Sequence, residues 1–432
     1  MRGHAIYLAI IALLIILVVY ASAKAVRAHK VMTEVEARFG VKEIVRASIP
    51  RREPLRKARP ADLLRPRTFD QYRREVDALL ARAQSLEEFG RATKLAEACS
   101  KALAGGKRLR AIILLEVARA TSARRLQTAQ ASPGAPDPTP VDAGEVALFI
   151  EYVHTASLVV DDLPEFDNDL TRRGRPSLHA EVGPAVAQMA ALSLVAAAFQ
   201  NVCRQVDWIR DNCPEIKNVD RIGTRICNDV SRALGALGAA GGQYMDVSSP
   251  DDLFREHGPD AVAELMHLKT ATFFEIAVVA GWLTAGGEAE QTPVMRDIGR
   301  HIGAAFQIAD DIGDMASDAA RRAAGRPGWN FANEYGRDVA LREMERNLKG
   351  ARLLLTQTSL WTPLWQEIYG QVRKMAEPPA ATTVATTEAT EATEATEATQ
   401  ATEATEATEA TEATEAEAKA GAEPRAEGTA SA

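Results

Sequence analysis

Two groups of aspartates stand where apolar sequence ends abruptly. Asp161, Asp162 and Asp167, with Asp169 close by, follow the run Ser157-Leu-Val-Val160; Asp310, Asp311 and Asp314 follow Gly303-Ala-Ala-Phe-Gln-Ile-Ala309. Carboxylates gathered at the ends of buried helices repel one another unless a cation compensates them. A donor set of oxygen alone, without His or Cys, suits a hard ion such as Mg²⁺, which commonly shares its coordination with substrate phosphates. Asp310 and Asp314 are four residues apart and lie on one helical face. Pro164 lacks the N–H that would continue a helix, so the chain is expected to bend there and bring Asp167 back toward Asp161. Either group alone would read as a solvated acidic helix end; two of them, each behind a buried stretch, point to a cation site.

Basic residues complement the acids. Gly105-Gly106-Lys107-Arg108-Leu109-Arg110 places three cations and a flexible backbone at the start of a helix, a cradle suited to phosphate. Arg172-Arg173-Gly174 follows Asp167 by five residues and can offer guanidinium forks to the anion that the cation holds. Lys269-Thr270 adds a cation and a hydroxyl from another helix. His154, seven residues before Asp161, would on its own be a core histidine on an apolar helix.

The elements that position these residues read as helices. From Thr68 to about Met375 apolar residues recur at helical spacing with few β-branched runs, so an all-α body is expected. Predicted helices include Phe69 to Glu88, Leu109 to Ala120, Ala143 to Val160, Ala185 to Val206, Ile222 to Leu237, Asp260 to Trp282, Val294 to Ala316 and Arg337 to Leu355. Thr128 to Pro140 has four prolines and no periodicity and reads as a surface loop.

The flanks differ from the body. Ala5 to Ala23 is nineteen residues without a charge, close to the ~20 needed to cross a hydrocarbon core. Residues 1–23 are therefore expected to form a transmembrane anchor, with a signal peptide cleaved after Ala21-Ser-Ala23 as the competing reading. Lys24, Arg27 and Lys30 behind the span favour a body on the cytoplasmic side. Residues 24–67 form a basic linker, thirteen Lys or Arg against five acids, suited to an anionic membrane surface. Its prolines 50, 54, 60 and 66 argue against a continuous helix. Residues 68–376 are the folded domain. The tail, residues 377–432, repeats Glu-Ala-Thr at a period of three, which gives no apolar face, and is expected to be disordered. It carries thirteen Glu against Lys419 and Arg425; without it the net charge of −8 becomes +3, so a nucleic-acid binder is not indicated. Cys99, Cys203, Cys213 and Cys227 form no CxxC pair and read as buried free thiols.

Taken in order, GGKRLR at 105–110, DDLPEFDNDLTRRG at 161–174, GQYMD at 242–246, Lys269-Thr270 and FQIADDIGD at 306–314 resemble the isoprenyl diphosphate synthases, the trans-prenyltransferases that include farnesyl and geranylgeranyl diphosphate synthases. The resemblance runs from about Phe69 to Met375. It implies an isoprenoid-synthase-like helical bundle around a central apolar cavity, and a homodimer. It implies that Asp161, Asp162, Asp167, Asp310, Asp311 and Asp314 bind three Mg²⁺, and that Arg172, Lys269, Thr270 and Gln307 contact the allylic diphosphate. Lys107, Arg110, His154 and Arg173 match positions that hold isopentenyl diphosphate. The reaction implied is attack of the isopentenyl double bond on an allylic cation, with Asp161, Asp162, Asp167, Arg172, Lys269 and Asp310 as the catalytic set and no protein general base.

This chain departs from the family pattern in three places. Ala111 stands where Pro is usual, Val160 replaces a common His, and the lysines after the second aspartate motif are absent, with Arg321, Arg322 or Arg326 as candidates to replace them. Product length is expected to follow from the helix before Asp161. Ala156 and Ser157, one turn below the reacting end, are small, and Tyr152 one turn further down could form the floor, which favours geranylgeranyl diphosphate. Farnesyl or longer products, a class I terpene synthase, a membrane scaffold and a non-catalytic subunit of a heteromeric synthase are the other readings. Two complete acidic motifs argue against the last, and GGKRLR argues against the terpene synthase.

Overall fold

The computed structural model describes residues 59–377, apart from short breaks at 86–87, 90–92, 133, 135, 249, 259–260 and 325–328. The expected span at 5–23, the linker as far as residue 58 and the tail beyond 377 lie outside the described residues.

In chain order the helices are α1 (Pro60–Leu63), α2 (Phe69–Ser85), α3 (Thr93–Ala102), α4 (Leu109–Gln130) and α5 (Gly144–Asp161). Two-residue strands β1 (Thr171–Arg172) and β2 (Arg175–Pro176) pair antiparallel. After them come α6 (Leu178–Val182), α7 (Pro184–Asn212), α8 (Val219–Leu234), α9 (Ala239–Asp246), α10 (Pro250–His257) and α11 (Ala261–Met266). A π-helical turn, His267–Ala271, joins α11 to α12 (Thr272–Thr284), and α13 (Thr292–Gly313), α14 (Met315–Ala323), α15 (Phe331–Tyr335), α16 (Arg337–Gln357) and α17 (Pro363–Met375) complete the body. Prolines at the first turns of α7, α13 and α17 fall where no backbone donor is lost.

Which helices lie inside follows from their composition. In α5 and α12 most positions are apolar, and a helix without a broad solvent-facing polar stripe is stable only when surrounded; both are buried along most of their length. Helix α7 packs along α5, α4 and α13 pack on α12, and α16 covers α13. Helix α7 is long and apolar enough to cross a membrane by length and composition, yet its Ala187, Ala190, Leu194 and Ala198 stripe is buried in the bundle.

Close approach of α13 to the helix beneath it sets the register of the second aspartate group. A Cβ on Gly303 would lie 2.6 Å from Ala271 Cα, so the two backbones touch at this level. Seven residues on, α13 ends at the aspartates.

The structure amends the expected elements at several points. Helix α4 runs to Gln130, so the proline-rich loop starts later than Thr128. The stretch expected as one helix from Asp260 to Trp282 is interrupted by the π turn. The hairpin between β1 and β2 carries no alternating apolar signal; it forms because Arg173 and Gly174 both take positive φ (56° and 72°), as a tight hairpin turn requires. Cys99 and Cys213 are buried free thiols as expected, but Cys203 is exposed.

Replacing Gly303 by Val should lower the unfolding free energy by about 1–3 kcal/mol through overpacking, read as an earlier midpoint in urea denaturation. Gly370, where an added Cβ would meet nothing within 4 Å, is the control: Gly370→Ala should leave the midpoint unchanged or raise it, since Ala is the better helix former. Equal midpoints for the two variants would contradict the close-approach account.

Candidate active site

Both aspartate groups sit at helix C-termini. Asp162 is the cap of α5 and Asp314 the cap of α13. Aligned carbonyl dipoles already concentrate negative charge there, and the carboxylates add to it. As expected from Pro164, the chain turns sharply after α5: the Asp167 N–H donates to the Asp161 carbonyl at 3.0 Å. Burial pushes the Asp161 carboxyl up to about 6, with Lys269 opposing and Asp167 adding to the rise. Asp167 is raised by burial as well, again with Lys269 opposing.

The π turn lies between the two groups and serves both. Lys269 Nζ donates to Asp246 Oδ2 at 2.5 Å, and its charge bears on Asp161 and Asp167. The next residue, Thr270, faces α13, where its Oγ1 donates to Gln307 Oε1 at 2.7 Å and Gln307 Nε2 donates to Asp311 Oδ1 at 2.7 Å. A regular α turn would rotate one of the neighbours away; widened turns of this kind recur at functional sites.

The second member of each Asp-Asp pair is engaged within the protein. Asp162, 3% exposed, accepts from Arg172 Nε at 2.9 Å and from Arg172 Nη2. Asp311, 5% exposed, accepts from Gln307 and from the Phe331 N–H at 2.8 Å, and burial pushes it up to about 7. Asp161, Asp167, Asp310 and Asp314 keep more solvent access. The metal set expected from sequence thus divides into four open carboxylates and two anchoring ones, because burial of Asp162 and Asp311 demands partners that the chain itself supplies.

A basic pocket adjoins the second group. Arg110 Nη1 donates to His154 Nε2 at 3.0 Å, and its guanidinium lies 4.5 Å from the centre of the Phe274 ring. Burial lowers His154 far below the usual histidine range, with Arg110 and Arg173 adding to the effect, so the ring is neutral and accepts. Burial also lowers Arg110, to about 10. Arg110 Nε and His154 Nδ1 are buried with no hydrogen-bond partner among the described residues, as expected where a ligand completes the site. Arg173 lies over Gly106, where a Cβ would come within 2.6 Å of Arg173 Nη1 and where φ is +102°. Both conditions demand glycine. Lys107 is exposed, and its charge opposes the burial-raised Asp310 and Asp314. Arg108, the third cation of that motif, is structural: it is 7% exposed and donates to Asp77, Glu151 and the Leu103 carbonyl.

Asp246 and Asn330 join the site beyond the residues singled out by sequence, and Arg321 is selected among the candidate arginines. Asp246 holds Lys269; its place in GQYMD is the available signal. Asn330 donates through Nδ2 to the Asp311 carbonyl at 2.7 Å and to Asp318 Oδ2 at 2.8 Å, and nothing in its sequence surroundings marks it. Arg321 is the one of the three candidate arginines that reaches back: its Nη2 lies 3.4 Å from Asp169 Oδ1, and its charge bears on Asp167 and Asp314. Arg322 pairs with Glu334 and lies over Trp329 instead; Arg326 lies outside the described residues.

Below the aspartates Ala156, Val153 and Tyr152 are buried, and Ser157 Oγ donates back to the His154 carbonyl at 2.8 Å. A cavity of about 830 Å³ opens elsewhere, at the N-terminal end of α5, lined by Leu63, Tyr72, Leu79, Arg119, Asp142 and Trp208. None of the clustered aspartates borders it, so it is not the reaction site.

The donor set fits Mg²⁺: oxygen ligands only, raised by burial and mutual repulsion and short of compensating charge. Among the described residues no three acidic, His or Cys side chains are placed to hold an ion unaided, so ligand oxygens must complete the coordination. Mg²⁺ with inorganic pyrophosphate should therefore stabilise the full chain far more than either alone, by about 2.7 kcal/mol at a hundredfold excess over the dissociation constant, read by thermal shift. Asp161→Asn should abolish the joint effect. An equal shift with Mg²⁺ alone would mean that a complete ion site exists without the anion.

Comparison with known proteins agrees with this geometry. Residues 92–328 match the polyprenyl synthetase family. The chain is 34% identical over 313 residues to the trans-prenyltransferase of African swine fever virus, covering 72% of this chain and 86% of that protein. It is 32% identical over 220 residues to the geranylgeranyl diphosphate synthase of Pantoea ananas, covering 51% and 64%. Its fold is that of a Thermotoga maritima geranyltranstransferase, with a TM-score of 0.53 at 22% identity over 71% of this chain and 99% of the other. With the helical isoprenoid synthase fold, both acidic motifs and the family match on one domain, the chain belongs to the polyprenyl synthetase family and is a trans-prenyltransferase.

Proposed function

We propose that this enzyme condenses isopentenyl diphosphate with an allylic diphosphate, using Mg²⁺, and delivers geranylgeranyl diphosphate as its main product. The observation that carries the reading is the pairing of two unlike sites: two crowded groups of carboxylates that a cation-bound anion would suit, and beside them a basic cluster of Lys107, Arg110, His154 and Arg173.

Asp161, Asp167, Asp310 and Asp314 would hold the ions, with Asp162 and Asp311 fixing the geometry behind them; bound there, Mg²⁺ supplies Lewis-acid neutralisation of the departing diphosphate. Lys269 and Arg172 add fixed positive charge where negative charge develops, which is worth most in a water-poor site. Thr270 and Gln307 orient the same group. Arg110 and Arg173 hold the second diphosphate, and neutral His154 keeps Arg110 aimed without adding charge. Phe273, Phe274 and Phe306 surround Arg110 and give an apolar wall against water. Arg321 takes the place of the missing lysines as the cation that closes over the allylic diphosphate.

The small Ala156 and Ser157 leave room for more than a farnesyl chain, and Tyr152 below them sets the limit. The N-terminal residues 1–23 anchor the chain in a membrane with the body on its cytoplasmic side, and the enzyme is a homodimer.

Asp161→Ala and Asp310→Ala should each reduce kcat by at least about a hundredfold, the scale of losing one electrostatic stabiliser, with a melting temperature unchanged or raised, since each removes a carboxyl that burial and a neighbouring aspartate disfavour. Arg321→Ala should raise KM for the allylic substrate more than for isopentenyl diphosphate. Wild-type activity in both aspartate variants would remove the metal assignment. Product chromatography should show geranylgeranyl diphosphate, shortened to farnesyl diphosphate by Ala156→Phe; a wild type that already stops at farnesyl, unaffected by Ala156→Phe, would place the floor elsewhere.

The protein should sediment with membranes and resist extraction by high salt, which screens charge but leaves apolar transfer intact. A mature N-terminus at Lys24 would instead support the cleaved signal peptide.

A further inference from the structure

Tyr152 is not merely a bulky residue at the right level. Its hydroxyl donates to the Glu88 carboxylate, which lies in the connection between α2 and α3. The other oxygen of that carboxylate, Glu88 Oε1, accepts from Arg204 Nη1 of α7 at 2.6 Å, and Arg204 Nη1 also donates to Asn201 Oδ1 at 2.7 Å. The Phe89 ring packs on the Tyr152 ring with centroids 5.7 Å apart. Glu88 and Arg204 side chains are only 1% and 11% exposed. Charged groups are rarely buried this far unless they are paired, and once paired they fix the geometry of whatever they hold.

Tyr152 lies nine residues before Asp161, about 13 Å along the helix axis, and four residues before Ala156, which puts it about 40° around the helix from that small side chain. A tyrosine there could turn on χ1 and yield to a growing chain. The hydrogen bond to a charge-paired carboxylate removes that freedom.

We propose that Glu88 and Arg204 are positioning residues that pin the Tyr152 ring across the path of the growing prenyl chain, so that product length is set by a buried polar clamp joining the α2–α3 connection, α5 and α7. The inference rests on the product-length reading above and adds the device that enforces it. The clamp touches no diphosphate, so the rate of the first condensation is independent of it.

The test uses the full chain in detergent with Mg²⁺, isopentenyl diphosphate and an allylic starter, comparing Tyr152→Phe, Glu88→Ala, Glu88→Gln and Tyr152→Ala by product chromatography and initial rates. Tyr152→Phe keeps the ring and loses only the hydroxyl, so it remains informative if Glu88→Ala folds poorly. Tyr152→Phe and Glu88→Ala should each raise the ratio of longer to main product about tenfold, the scale expected from losing a hydrogen bond to a charged group, with the initial rate unchanged. The double variant should shift the ratio no further than either single one, since both remove the same contact. Glu88→Gln keeps one acceptor oxygen but loses the charge that pairs Arg204, and should raise the ratio less than Glu88→Ala does. If Tyr152→Ala lengthens the product but Tyr152→Phe and Glu88→Ala do not, the ring is the floor and the clamp is wrong. If Tyr152→Ala also has no effect, the floor reading fails and the clamp with it.

Discussion

The constraint on which this molecule depends is the concentration of negative charge at two helix ends. Two largely apolar helices, α5 and α13, end with their carbonyl dipoles and their aspartates in the same region, an arrangement that works against folding when nothing balances it. The neighbouring structure is organised around that cost. Arg172 returns on a hairpin to neutralise Asp162, Lys269 is delivered between Asp161, Asp167 and Asp246, and Arg321 reaches from α14 to Asp169. The negative charge that the protein leaves uncompensated is what a bound cation would balance. In this sense stability is traded for affinity at the site, a common arrangement where charge has to be stabilised only during reaction.

The apolar interior has a complementary role. Helices α5 and α12 are mostly apolar and largely buried, so the aspartates at the end of α5 and the Lys269-Thr270 turn leading into α12 are held by a rigid interior rather than by loops. The second aspartate group gains the same rigidity from the backbone contact at Gly303. Basic side chains from the GGKRLR segment and the RRG turn then meet over Gly106, where the absence of a side chain allows Arg173 to lie flat against the backbone.

Much of this is legible in the sequence because it rests on local chemistry. Helical periodicity locates the main helices, Pro164 indicates the bend that returns Asp167 to Asp161, and the order of acidic and basic motifs points to the family. The parts that are not legible depend on tertiary placement. Nothing in a run of aspartates distinguishes Asp161, which keeps solvent access, from Asp162, which is anchored by Arg172; that difference is made by burial. Asn330 and Glu88 carry no local signal because their partners lie far along the chain or on other elements. Arg321 and Arg322 are adjacent and equivalent as sequence, and only the direction each takes from α14 separates the one that meets Asp169 from the one that meets Glu334. The hairpin escapes a reading of apolar patterns because two positive φ angles make it.

The π turn at His267–Ala271 bears on how this chain can change over evolutionary time. Such a turn holds one residue more than ordinary helical geometry, and it can arise by insertion of a residue into a continuous helix. Deleting a residue there would let the helix relax to its regular pitch at little local cost. The flanking helices would keep their faces, because the wider turn with its extra residue and the regular turn without it rotate the chain by nearly the same angle; the change would fall on the turn itself, where Lys269 and Thr270 could no longer serve Asp246 and Gln307 together. Single-residue length changes are usually tolerated in loops and penalised in helices for packing reasons. Here the penalty falls on the spacing between two neighbouring side chains, which makes this short segment intolerant of length change even where its residue types could drift.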